Sequence, residues 1–157
     1  PYPPDKQREL EPLTPAIDEN AKKTADEMKS KGNTFFKNKQ YNDAIQTYTE
    51  GILVEGDNAT LWSNRSASYL ANKDPYNALL DAEVCRGLRP DWIKGCFRLA
   101  QARMALAQYE DAALAAFEGL KLDNENKDLR KLTQEAVAKG KNLHEWEQEQ
   151  KSGSMHK

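Results

Sequence analysis

The chain has 157 residues, of which 31% are charged, with 25 acids against 23 bases. That length suits one domain with a proper core, and the near-cancelling charge gives no whole-molecule argument for nucleic acid or an anionic membrane. No apolar run approaches the ~20 residues of a membrane span, and no signal-peptide pattern opens the chain. Pro1 stands where a complete chain would carry Met, so a fragment of a longer protein is expected. Two cysteines, Cys85 and Cys96, make no disulfide framework and fit a reducing, cytoplasmic setting. The sequons at Asn58 and Asn64 are read as chance.

In chain order, residues 1–14 come first, and the first 15 residues hold five prolines and little apolar content. An extended or disordered segment is expected there. Thr14-Pro15 reads as a helix start, and residues 15–24 either lengthen the helix that follows or form a short one of their own. A shift of 34 residues then lays the chain on itself. Tyr41-Asn42-Asp43-Ala44 falls on Pro75-Tyr76-Asn77-Ala78 and on Tyr109-Glu110-Asp111-Ala112. Gly51, Cys85 and Gly119 coincide, and so do Val54, Leu88 and Leu122. Three units follow, 25–58, 59–92 and 93–126. The alanines mark close helix contacts, and the large residues Phe35, Tyr48, Trp62 and Tyr69 fill the spaces beside them. Cys85 and Cys96 read as small apolar fillers. Asp74-Pro75 reads as an N-cap with proline in the first turn, and Pro90 as a helix stop. Residues 127–150 carry Leu129, Leu132, Ala136, Val137, Leu143 and Trp146, which predicts an amphipathic helix capping the open end of the stack. Residues 151–157 read as a tail.

A 34-residue helix-turn-helix unit with this pattern resembles the tetratricopeptide repeat. Gly32, Phe35, Ala44, Tyr48 and Gly51 occupy that family's packing positions in the first unit; Trp62, Tyr69, Ala78, Cys85 and Pro90 do so in the second. The third keeps Leu99, Ala112 and Gly119 but has Cys96 where Trp is usual and Arg103 where an aromatic is usual. The resemblance implies an all-α fold, a right-handed superhelix of three helix-turn-helix tetratricopeptide repeats plus a C-terminal capping helix. It also implies that the first helix of each repeat lines a concave face.

The inward positions would then be Lys29, Asn33 and Phe36, then Asn64, Ala67 and Ala71, then Lys94, Arg98 and Gln101. Three cations and two asparagines stand in that set without an acid, a donor-rich arrangement that suits a carboxylate. A lone lysine or arginine on a helix is ordinarily solvated surface, but five matching positions over three repeats are harder to dismiss. The set resembles the two-carboxylate clamp of tetratricopeptide co-chaperones. There Lys29, Asn33 and Asn64 hold a ligand's main-chain carboxylate, and Lys94 and Arg98 hold the side chain of its terminal Asp. That resemblance implies binding of the Glu-Glu-Val-Asp tails of heat-shock protein 90 or heat-shock protein 70, with Phe36 and Ala67 offering apolar contact to the Val. A scaffold that uses its outer surfaces instead is the alternative. Cys85–Arg98, with Glu135–Gly140 downstream, also looks like the repeats that follow ankyrin domains in ankyrin-tetratricopeptide proteins, and the stress-inducible organising co-chaperones are similar over residues 25–126 as well. The expectations are a monomeric, cytoplasmic module with no cofactor and no metal. No phosphate loop, paired carboxylates or Cys/His and Ser/His set argues for an enzyme.

Overall fold

A computed structural model describes the backbone of residues 15–154 and the side chains of residues 19–154. Seven α-helices follow one another: α1 (Pro15–Lys37), α2 (Tyr41–Val54), α3 (Ala59–Ala71), α4 (Pro75–Leu88), α5 (Ile93–Ala105), α6 (Tyr109–Leu122) and α7 (Lys127–Ser154). The starts of α2, α4 and α6 are 34 residues apart, as are those of α3 and α5. The expected extended segment 1–14 lies outside the described residues.

Each repeat turns back in the same way. Gln40 donates its backbone N–H to the Phe35 carbonyl at 2.9 Å, and Lys39 donates to Phe36 at 3.0 Å. The same two bonds recur from Asp74 and Lys73 and from Gln108 and Ala107. This closes a helix C-terminus with one residue in the left-handed region, and that residue is Lys39, Lys73 or Ala107 rather than glycine. Side-chain caps start three helices. Asn58, Asp74 and Asn126 accept from the backbone N–H of Leu61, Asn77 and Leu129 at 3.2, 3.2 and 3.0 Å.

Small residues set the helix spacing. Ala44, Ala78 and Ala112 are fully buried, one per repeat. A Cβ on Gly32 would overlap the Tyr48 ring, and one on Gly119 would sit 2.7 Å from a Leu129 methyl. Cys85 and Cys96 are buried free thiols, and burial pushes the Cys85 thiol up to about 11. The third repeat is knitted to α7 through Ala100, Ala115, Ala116, Leu129 and Leu132. Where an aromatic was usual, Arg103 instead bonds Gln108 and Glu83 at 2.6 and 3.2 Å.

One open alternative is decided and one boundary differs from expectation. Residues 15–24 join the first repeat helix without a break, so α1 is one 23-residue helix. The last helix continues to Ser154, past the expected end at 150, although Ser152-Gly153-Ser154 are weak helix formers. Only its first half caps the stack: Leu129, Leu132 and Ala136 are buried, whereas Val137, Leu143 and Trp146 stay exposed. No helix among the described residues is long and apolar enough to cross a membrane.

The curvature follows from which helices touch. Beyond chain neighbours, α1 meets α3, α3 meets α5 and α5 meets α7, whereas α2, α4 and α6 do not meet one another among the described residues. The odd-numbered helices are therefore drawn together on the concave side.

Candidate functional site

Asn33 on α1 and Asn64 on α3 meet across the concave face, where the Asn64 amide Nδ2 donates to Asn33 Oδ1 at 3.2 Å. The Tyr48 hydroxyl, reaching from α2, donates to the same oxygen. Burial pushes the Tyr48 phenol up to about 12, so it remains a neutral donor at ordinary pH. With Asn33 Oδ1 receiving two donors, its own Nδ2 group is left to donate outward, as is the second N–H of Asn64. Tyr48 was expected only as packing. Its second task was visible in its polar tip, since a buried tyrosine ordinarily finds a partner.

Arg98 on α5 completes the inner wall. Its Nε donates to Ser63 Oγ on α3 at 3.2 Å, and one terminal nitrogen donates to Gln101 Oε1 at 3.0 Å. Burial pulls its pKa down from the usual arginine value, the expected consequence of partly desolvating a cation. Among the described residues no carboxylate pairs with it, and the same is true of Lys94, one turn earlier and exposed. Lys94 and Arg98 line one side of a hollow of about 380 Å³ beside the start of α7.

Lys29 is on the same face of α1 as Asn33, one turn away. Its ammonium is 3.7 Å from the Asp26 carboxylate, a pairing the sequence reading had not foreseen. Both side chains are partly exposed, so the pair contributes only about 0–1 kcal/mol and leaves the lysine available to a competing carboxylate. Phe36 is exposed and meets the Tyr41 ring edge-on at 5.4 Å, and Ala67 is half-buried on α3. Asn33 and Asn64 thus form one cluster with Tyr48, and Arg98 and Gln101 a second with Ser63. Lys29, Lys94, Phe36 and Ala67 surround them without direct bonds to them.

A second arginine marks the contrast. Arg65, on the far side of α3, holds the buried carboxylate of Asp81 through two bonds of 2.7 Å and donates to Thr49 at 3.1 Å. The Trp62 and Tyr69 rings flank its guanidinium at 4.9 and 5.6 Å. On the outer face Tyr76, Leu80, Val84 and Leu88 form an exposed ridge along α4 at four-residue intervals.

The chain is similar to known proteins. No family model matches the chain. It is 40% identical over 120 residues to the protein STIP1 homolog of Dictyostelium discoideum, a match covering 76% of this chain and 21% of that protein. The chain spans about a fifth of the length of that curated relative. It is also similar to a solved structure of the second TPR domain of human RPAP3 in complex with the HSP70 peptide SGPTIEEVD. There the TM-score is 0.72 and the identity 30%, over 74% of this chain and 98% of that one. The first TPR of Spaghetti (RPAP3), bound to the HSP90 peptide SRMEEVD, gives a TM-score of 0.72 at 28% identity, over 74% of this chain and 92% of that one.

Proposed function

The chain belongs to the tetratricopeptide-repeat domains of the kind found in the STIP1 homolog, and from that premise we propose that its concave face docks the acidic C-terminus of a chaperone. The terminal carboxylates enter between α1, α3 and α5. Lys29 and the outward N–H groups of Asn33 and Asn64 take the main-chain carboxylate, and Lys94 and Arg98 take the side chain of the final Asp. One observation carries this reading above the rest: Arg98 is partly desolvated, held by two neutral acceptors, and has no acid against it among the described residues. A buried cation in that condition is stabilised by an anion from outside.

The solved relatives hold HSP70 and HSP90 peptides that end alike in EEVD. The clamp reads that shared end and does not by itself choose between the two chaperones. The module docks and does not catalyse, and its site of action is the cytoplasm, where a chaperone tail is available.

Hydrogen bonds to charged groups contribute about 1.5–3 kcal/mol each, and ordering a flexible tail offsets much of it. Micromolar affinity follows, roughly −8 kcal/mol, falling as salt rises. Calorimetry with a Glu-Glu-Val-Asp peptide and its C-terminal amide tests the reading. Amidation removes one carboxylate and should weaken binding at least about tenfold. Equal affinities overturn it. The exposed α4 ridge favours a second reading, a scaffold that works through its outer face. That reading predicts partner capture unaffected by Lys94→Ala.

A further inference from the structure

The last helix outruns the stack that it caps. A shift of one repeat lays α5, Ile93–Ala105, on residues 127–139, so α7 starts where the first helix of a fourth repeat would start. It has 28 residues against the 13 of α5, and the 15 beyond that length have no counterpart in the repeats. Its packing stripe continues into them. Leu129, Leu132, Ala136, Lys139, Leu143, Trp146 and Gln150 follow one another at alternating steps of three and four, the spacing of a coiled-coil seam. The first three are buried. A Cβ on Gly140 would still lie 3.3 Å from that of Tyr109, at the start of α6. From Lys141 to Ser154 every residue is exposed, Leu143 at 39% and Trp146 at 58%.

Such an overhang gains little from the stack. Isolated helices shorter than about 12–15 residues are marginal in water, and this one ends on weak helix formers. A partner that covers the seam would supply the missing support. The charges select which partner. Lys139 and Lys141 open the segment, and Glu145, Glu147 and Glu149 follow towards its end. Two copies laid side by side in parallel would set Lys139 against Lys139. Laid antiparallel, they set Leu143 of each against Trp146 of the other, and Lys139 against Gln150 with Glu147 and Glu149 close by. The two apolar layers fall at the centre and the two polar layers at the ends. The contact uses the same patch on both copies and closes on a two-fold axis.

We propose that residues 139–154 of α7 are a self-association surface whose occupant is the same segment of a second copy of this chain, packed antiparallel with Leu143 and Trp146 at its centre. The proposal does not depend on the clamp. It replaces the expectation of a monomer with a concentration-dependent dimer that carries two concave faces. A helix of that length spans only about 22 Å. The pair therefore buries less than the ~1,600 Å² of a standard interface, and a dissociation constant on the order of 10–100 µM is expected.

Sedimentation equilibrium of the 157-residue chain, from about 5 µM to 1 mM, tests this. The average mass should rise from one chain to two and stop there. Leu143→Ala and Trp146→Ala should each weaken the dimer at least about tenfold. Both side chains are exposed in the single chain, so dilute samples of either variant should melt like the parent. Lys139→Glu and Glu149→Lys should each weaken self-association about threefold to fivefold at low salt. An equimolar mixture of those two variants should regain it, because each offers the charge that the other lacks. Should Trp146→Ala melt lower, the charge mixture decides, since it alters no apolar contact. A mass of one chain throughout overturns the proposal. So does association that survives Trp146→Ala but is lost in Leu80→Asp, which would put the contact on the α4 ridge. Growth beyond two chains overturns the two-fold pairing. Charge variants that associate like the parent, or a mixture that regains nothing, overturn the antiparallel register.

Discussion

Arg65 and Arg98 sit on neighbouring inner helices of the same stack, and their surroundings make different residues of them. Arg65 lies behind the groove, between α3 and α4. There Asp81 takes two of its donors and aromatic rings cover its faces. Arg98 lies at the groove wall, where its side-chain hydrogen bonds among the described residues go to a serine and a glutamine. Both are largely withdrawn from water. The first has its counterion built into the fold, and the second has it left out. The presence or absence of an internal acid, more than the arginine itself, separates a residue that holds the stack together from one that waits for a ligand.

The comparison breaks if the two sites respond alike to mutation. The largest effect is expected at Arg65→Ala, which strands the Asp81 carboxylate in the interior. A loss of about 3–5 kcal/mol is expected, read from chemical denaturation. Peptide affinity per folded molecule should not change. Next comes Lys94→Ala on the groove wall, where an exposed cation goes and no internal partner is stranded. Binding of a Glu-Glu-Val-Asp peptide should fall about tenfold, the equivalent of losing one charge-assisted hydrogen bond, with the melting temperature unchanged. A drop in melting temperature there would make Lys94 structural and remove the distinction.

Gly32→Ala sharpens the comparison from a third direction, because it links packing to the site. The added methyl would overlap the Tyr48 ring, whose hydroxyl fixes the Asn33 amide. Overpacking of this kind costs about 1–3 kcal/mol. Here it should also weaken peptide binding by a smaller factor than Lys94→Ala does. Stability lost with binding fully intact would show that Asn33 does not need Tyr48 to hold it.

Much of this molecule could be read along the chain. The 34-residue period located every helix from α2 to α6, because each repeat buries the same small and large residues against its neighbour. The five proposed clamp positions came from the family resemblance, and spacing adds only that Lys29 and Asn33, and Lys94 and Arg98, each share a helical face. The Arg65–Asp81 pair was not. Both residues sit on helices whose local pattern looks like ordinary charged surface, and only packing α3 against α4 brings them to 2.7 Å. The Asp26 neighbour of Lys29 was visible at three-residue spacing and was passed over. The end of α7 was misplaced because a helix that has left the stack carries no packing signal to mark where it stops. The ankyrin-like features of Cys85–Arg98 remain an expectation about the parent chain.

By itself the sequence determined the repeat, the helices and the faces they present, because side-chain size and helical periodicity are local and additive. Tertiary structure alone decided which charges are spent inside and which remain for a partner. That depends on the distance between side chains from different helices, and no spacing along one helix records it.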